Sequence, residues 1–327
     1  MDLKDIIRRE ADRIDDEMQR DLAELPGVAP LLAEILEYGL FSGGKRVRPL
    51  LTVMCARLSG RDDEQLYRPA IAFEYLHAAT LFHDDVIDHA DTRRGRMSVV
   101  KRFGPSGAIL AGDFLHAQAM ALVGRYGGAA ALDVFSEATR GMVSGEFLQM
   151  HQCCRAELTE DDYFSIIRGK TALLIAAACQ IGGLVGGGDD RCRSALRAYG
   201  LNLGCAFQIV DDLLDYQGDS RRTGKAVGND LIEGKVTLPL ILALQRAGGK
   251  ERAEVAALLL DDGRRVESFV VIDRFIDAHH GYHLARQRAE QLAADALAAL
   301  DPFRRSKDEP SLHILEELVR YVLSRRN

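Results

Sequence analysis

The sequence predicts an all-α fold in one domain, and three observations carry that prediction. Helix-forming Ala, Leu, Glu and Arg dominate, whereas proline numbers only 8, tryptophan is absent and aromatic residues make up 6%. Apolar residues recur at the three- and four-residue steps of a helix face in nearly every long segment, and sustained period-two alternation is hard to find. The breaks are short, so no flexible linker divides the chain, and residues 1–327 read as a single domain.

The elements follow in order. The opening "MDLKDIIRREADRIDDE" is charged from its second residue and lacks the apolar centre of a secretory signal. In "LLAEILEYGLF" the residues Leu32, Ile35, Leu36 and Leu40 form one helix face, and similar faces run through "LTVMCARLSG", "IAFEYLHAATLFH", "ALRAYGLNLGCAFQIVDDLLDY" and "LHILEELVRYVL". Breaks are expected at "SGGKRVRP", "RFGPSG", "GGLVGGGDD" and "GDSRRTGKAVGNDLIEGK"; the third lacks dinucleotide glycine spacing and reads as a helix end followed by an Asp N-cap. The longest weakly polar run, "LLIAAACQIGGLVGGG", is short of a membrane span and contains Gln180 and five glycines. Six scattered cysteines fit reduced thiols, so the expectation is a soluble, cytoplasmic protein with no integral membrane segment. A hydrophobic content of 47% supplies a core, and a net charge of -7 gives no electrostatic case for nucleic acid as a partner.

One short pattern recurs. Asp84-Asp85-x-x-Asp88 in "HDDVID" is matched by Asp211-Asp212-x-x-Asp215 in "VDDLLD". At about 100° per residue the first and third aspartates of each set stack on a helix, with the middle one beside them. Three such carboxylates repel one another unless a cation intervenes. Hard carboxylate oxygen selects Mg²⁺, which usually completes its shell with water and substrate phosphates. Two facing clusters would clamp a diphosphate. A solvated acidic surface is the alternative, but both sets follow apolar runs, and the pairing is far more specific than one DDxxD.

Cations stand ready for such an anion. "GGKRVRP" joins Gly43 and Gly44 to Lys45, Arg46 and Arg48 ahead of a helix opened by Pro49, although a plain basic turn is the competing reading. Arg93 and Arg94 offer guanidinium forks to phosphate oxygens, or serve as partners for Asp88 and Asp91. Lys225 and Lys235 follow the second cluster in glycine-containing loops that read as a flap. "GDSRRTGKA" misses the Walker spacing and has Ala226 where Ser or Thr should bind metal, which excludes a nucleotide P-loop. His151, Cys153 and Cys154 lack a second spaced pair and read as structural rather than zinc-binding.

The paired DDxxD clusters, the GGKxxRP start, the RRG after the first cluster, FQxxDD and GKxxGxDLxEGKxTLP, in that order from about Ile35 to Leu244, resemble the trans-type polyprenyl diphosphate synthases. The resemblance implies head-to-tail condensation of isopentenyl diphosphate with an allylic diphosphate, on an all-helical isoprenoid synthase fold around a central cavity, usually as a homodimer. It implies Asp84, Asp88 and Asp211 as direct Mg²⁺ ligands, with Asp85, Asp212 and Asp215 as further ligands or their supports. Gly44, Lys45, Arg48, His77 and Arg94 would hold isopentenyl diphosphate, and Arg93, Lys170, Lys225 and Lys235 the allylic diphosphate. Thr171 and Gln208 would lie near the developing carbocation. On the residues alone, His77 would be a core histidine, and Lys170 and Thr171 in "RGKTALLIAAA" a helix start.

Chain length is gated in this family by the positions four and five before the first cluster, here Thr80 and Ala79, neither of them aromatic. Leu76 and Phe73 lie one and two turns deeper, and Phe135, Met142 or Phe147 could supply a floor. The expected product is hexaprenyl to octaprenyl diphosphate for a quinone side chain, with a geranylgeranyl or farnesyl enzyme as the shorter alternative. Val99, Val100 and Glu146 depart from the family's commoner residues. A class I terpene cyclase would need no isopentenyl site, and a non-catalytic synthase subunit would be expected to have lost one cluster.

Overall fold

The computed structural model describes residues 3–217, 228–261, 265–304 and 308–325. These are helical almost throughout, as the composition predicts. In order they form α1 (Leu3–Glu24), α2 (Pro30–Leu40), α3 (Val47–Leu58), α4 (Tyr67–Ile87), a hairpin of β1 (Thr92–Arg93) and β2 (Arg96–Met97), and α5 (Val99–His151). Then come α6 (Glu160–Ile167), α7 (Leu173–Val185), α8 (Asp190–Gln217), α9 (Asn229–Ile232), α10 (Leu238–Arg246), α11 (Gly249–Leu260), α12 (Arg265–Ala278), α13 (Gly281–Ala299) and α14 (Glu309–Ser324).

Contacts group the chain into two compact units. The first comprises Met1–Glu137, Ala177–Leu196 and Pro302–Leu315. Its central element is α4, which buries residues on all sides, from Tyr67 and Ile71 to Phe73, Tyr75 and Phe82, and so reads as a core helix rather than an amphipathic one. The acidic face of α1 is satisfied by this core: Glu10 accepts from Arg57 at 2.9 Å and Asp21 from the Tyr75 hydroxyl at 3.0 Å. Glycines let α7 approach α3, since a Cβ at Gly182 or Gly186 would lie 2.4 Å from the carbonyl oxygen of Thr52 or Ala56. Asp189 then caps α8, accepting from the Cys192 N–H at 2.7 Å, which bears out the N-cap read from "GGLVGGGDD".

The second unit comprises Ala138–Ala176, Arg197–Asp301 and Glu316–Asn327. Its core gathers Tyr163, Ile166 and Ile167 of α6 with Leu238, Leu240 and Ile241 of α10. Thr159 and Asp162 form a reciprocal capping box that starts α6.

Helix α5 leaves helical geometry at Gly104 (φ 80°) and Gly128 (φ 75°). The first break matches "RFGPSG", where Pro105 has no N–H to give; the second is a bend the sequence pattern does not announce. By length and hydropathy alone, α5 and the run Glu160–Val185 would qualify as membrane spans, but 61% of the most apolar window of the latter is buried in protein. Core burial accounts for its composition.

Candidate active site

In the first unit, α4 ends at Ile87 and Asp88 is its C-cap, so a carboxylate sits at the negative end of the helix dipole. The three aspartates are not equivalent. Asp85 is 1% exposed; its Oδ1 accepts from Arg93 Nε at 2.7 Å and lies 2.7 Å from Nη2 in the same ion pair, while Asp84 is half-buried and Asp88 exposed. Arg93 therefore pairs with Asp85 rather than with Asp88 or Asp91, and Asp91 pairs with Lys101 at 3.0 Å.

The hairpin explains this. Thr92 faces Met97 and Arg93 faces Arg96, leaving Arg94 (φ 52°) and Gly95 (φ 74°) as a two-residue turn with both φ positive. A left-handed arginine is unusual and costs conformational energy. Its guanidinium reaches the carbonyl oxygen of Gly43. Gly44, Lys45, Arg48, His77 and Arg94, the sequence-derived isopentenyl set, all line one pocket.

Arg46 lies in that wall but is not available to a ligand. It is 3% exposed, and it donates to Asp15, Glu74 and the Leu40 carbonyl, each at 2.7 Å. Arg48 differs: its Nε is buried with no partner among the described residues, and burial holds its pKa below the ordinary value. Arg48 itself lines the pocket, where a guanidinium suits an anion. Burial, and then the charges of Arg48, Arg94, Arg93 and Arg46, hold the His77 imidazole far below its usual pKa, so His77 is neutral.

In the second unit, Lys170, Thr171, Gln208, Asp211, Asp212 and Lys235 line a single pocket. Lys170 and Thr171 are presented by a π-helical turn, Arg168–Ala172, between α6 and α7, not by the helix start the sequence suggests. The turn packs on α5 through glycines: a Cβ at Gly145 would sit 2.5 Å from the Lys170 nitrogen, and one at Gly169 2.8 Å from the Gly141 oxygen. Lys170 Nζ lies 2.6 Å from both Glu146 Oε2 and Gln149 Oε1. Glu146, noted as a departure, is thus its counter-ion.

A hydrogen-bond chain supports the second cluster. Thr171 Oγ1 donates to Gln208 Oε1 at 2.9 Å, Gln208 Nε2 donates to Asp212 Oδ1 at 2.9 Å, and the Tyr163 hydroxyl donates to Asp212 Oδ2 at 2.6 Å. Asp212 is 3% exposed, so the second aspartate of each cluster is buried and held by protein donors, while the first is half-buried in one cluster (Asp84) and exposed in the other (Asp211). Asp215 Oδ2 accepts from the Asp230 N–H at 3.0 Å. Burial and then the Asp230 charge push the Asp215 carboxyl up to about 6, and the same two causes raise Asp212 well above the carboxylate range. Lys235 answers Asp230 at 3.2 Å and Glu233 at 2.6 Å, and these carboxylates outweigh its burial and hold its pKa above the ordinary value.

Sequence reasoning missed Asp230, Tyr163 and Gln149, which act through other site residues; Asp230 lay in plain view within "GNDLIEG". Lys225 and most of the loop expected to serve as a lid lie outside the described residues. The Cys154 backbone N–H donates to the Gly234 carbonyl at 2.7 Å. Among the described residues no three His, Cys, Asp or Glu side chains close on one point. The donor set nevertheless fits a hard cation: the Asp212 and Asp215 carboxyls both feel the Asp230 charge, which adds to burial in raising their pKa values, and carboxylate oxygens gathered in this way suit Mg²⁺ or Ca²⁺.

Residues 29–271 match the polyprenyl synthetase family, and the chain belongs to it as a prenyltransferase with the all-α isoprenoid synthase fold. It is 37% identical over 279 residues to the octaprenyl diphosphate synthase of Escherichia coli, covering 85% of this chain and 86% of that protein. A decaprenyl diphosphate synthase from Rhodobacter capsulatus is similar in structure, with TM-score 0.89 and 33% identity over 99% of this chain and 98% of that one. A polyprenyl synthase from Caulobacter crescentus, complexed with calcium and isoprenyl diphosphate, gives TM-score 0.88 and 35% identity over 99% of this chain and 98% of that one.

Proposed function

We propose that this prenyltransferase joins isopentenyl diphosphate to an allylic diphosphate, head to tail, with Mg²⁺, to give hexaprenyl to octaprenyl diphosphate for a quinone side chain. The observation that carries the reading is the pocket shared by Gly44, Lys45, Arg48, His77 and Arg94, which gathers three cationic side chains around a neutral imidazole. A terpene cyclase has no use for this second anion site. In this reading Arg48 and Arg94 hold the isopentenyl diphosphate, and neutral His77 donates a hydrogen bond without adding charge.

Arg93, Lys170, Lys225 and Lys235 bind the allylic diphosphate, with Asp84, Asp88 and Asp211 as the direct metal ligands and Asp85, Asp212 and Asp215 supporting them. Bound Mg²⁺ would supply Lewis-acid neutralisation of the charge that develops on the diphosphate as the allylic C–O bond breaks. Thr171 and Gln208, fixed by their hydrogen bonds, face the carbon end of that bond as preorganised dipoles. The isopentenyl double bond attacks the allylic carbon, and the released diphosphate takes the proton lost afterwards, so no protein base is required. The chain acts as one domain in the cytoplasm and as a homodimer; in the second unit, exposed Val143, Phe147 and Met150 on α5 are apolar surface a second copy would cover.

Chromatographic sizing of products from purified protein, Mg²⁺, isopentenyl diphosphate and farnesyl diphosphate tests this. A ladder ending at six to eight isoprene units is expected. A stop at geranylgeranyl would keep the chemistry and reject the length, and no elongation with any primer would reject the reading.

A further inference from the structure

Asp211 does not stand alone at the mouth of its cluster. Its Oδ1 accepts from Arg325 Nη2 at 3.0 Å. The Arg325 guanidinium also lies over the Phe207 ring, 4.5 Å from its centroid, and Phe207 is one helical turn before Asp211 on α8. The Arg325 side chain is 16% exposed against 49% for Asp211, so the arginine is the better anchored partner. The end of α14 just before it is tied down as well: Arg286 donates to the Leu323 carbonyl, and the Ser324 hydroxyl to that of Tyr321 at 3.0 Å.

We infer that Arg325 is a positioning residue for Asp211: stacked on Phe207, it grips one carboxylate oxygen and leaves the other turned outward for a divalent cation. The inference rests on the reading of Asp211 as a metal ligand. Carboxylates that ligate metals are commonly oriented by a second hydrogen bond, and losing that partner typically weakens metal binding by roughly 10–100-fold. Arginine suits the task because one planar group can stack and donate at once, which a lysine ammonium cannot. An ordinary surface ion pair would contribute little. The stack and the burial of Arg325 separate this pair from that class.

Titration of Mn²⁺ into the full-length protein, followed by electron paramagnetic resonance with and without inorganic pyrophosphate, tests the assignment. Arg325→Ala is expected to weaken Mn²⁺ binding by about ten-fold or more. Arg325→Lys should recover part of the loss, and Phe207→Leu, which keeps both charges, should show a smaller one. In turnover, Arg325→Ala should raise the Mg²⁺ concentration needed for half-maximal rate far more than it lowers kcat at saturating Mg²⁺. In an Asp211→Asn background, Arg325→Ala should have no further effect on Mn²⁺ affinity. Unchanged or tighter Mn²⁺ binding in Arg325→Ala, the mark of a bystander or a competing cation, overturns the inference, as does a loss that persists in full in the Asp211→Asn background. Wild-type Mn²⁺ binding and turnover in Asp211→Asn alone would instead reject the metal reading beneath it. Thermal melts show whether each variant is folded, and Arg325→Lys and Phe207→Leu decide the matter if Arg325→Ala is not.

Discussion

Arg93 places both Nε and Nη2 2.7 Å from a single oxygen of Asp85, and thereby removes the second aspartate of the first cluster from the outward-facing pair. Substitutions in this cluster should therefore differ in kind. Asp84→Ala is expected to lower kcat by at least about 10²-fold with the fold intact, because on the proposed reading it removes a ligand of the cation that neutralises the reacting diphosphate. Asp85→Asn should mainly misplace Arg93, raising KM for the allylic diphosphate by roughly ten-fold, the scale of one charge-assisted hydrogen bond. Steady-state kinetics separate the two, and identical profiles would show that the cluster acts as three equal ligands.

His77 gives the protein a defined acid sensitivity. Its pKa is held well below the ordinary 6.5 by burial and by four arginines. A base whose folded pKa is depressed contributes stability above its unfolded pKa and loses it as pH falls through 6.5 toward the folded value, because the unfolded chain takes up the proton first. The expected loss is up to about 1.4 kcal/mol per pH unit below that point. His77→Gln should melt with a shallower dependence between about pH 6.5 and pH 5.5 than the wild type. Parallel curves would mean that His77 is not the buried neutral group described.

The turn that carries Lys170 and Thr171 depends on a missing side chain. A Cβ at Gly145 would sit 2.5 Å from the Lys170 nitrogen and 2.9 Å from the Gly169 carbonyl carbon, contacts with backbone that cannot rotate away. Gly145→Ala is expected to cost about 1–3 kcal/mol in denaturant unfolding, as overpacking does. Because it displaces the turn, it should also raise KM for the allylic diphosphate more than KM for isopentenyl diphosphate. A fall in apparent kcat with both KM values unchanged would argue for a general loss of folded protein instead.

Much of this was legible in the sequence because it is local. The helix faces, the break at Gly104 and the Asp189 cap follow from spacing and residue type, and the two aspartate clusters announce themselves by repetition. The hairpin was not legible: strands of two residues are too short to show a period, and the turn puts Arg94 in a conformation that residue rarely adopts. Nor could spacing tell which aspartate of each set turns inward. That depends on Arg93 for Asp85, and on Tyr163 and Gln208 for Asp212, partners fixed by tertiary packing. The π turn at Lys170 was missed because its cause, the meeting of Gly141 and Gly145 with Gly169, joins segments that are separate in sequence.

Product length offers the most direct readout of the first unit's core. Phe73, two turns deeper on α4 than Ala79 and Thr80, the proposed gate, meets Phe135 edge to face, with ring centroids 5.4 Å apart at 68°, and both rings are fully buried. Phe147, another floor candidate, is 68% exposed, and on the proposed reading the buried Phe73–Phe135 pair is the barrier to a growing chain. Phe135→Ala would open that floor but costs about 3–5 kcal/mol as a core truncation. Phe135→Leu keeps most of the packing and is the first variant to make. It should shift the products toward longer chains by one or more isoprene units, whereas Ala79→Phe should shorten them by placing a ring at the first gate. If chromatography shows both variants with the wild-type distribution while their melts stay cooperative, neither position bounds the chain. A shift in Ala79→Phe alone would keep the gate on α4 and remove Phe135 from the floor.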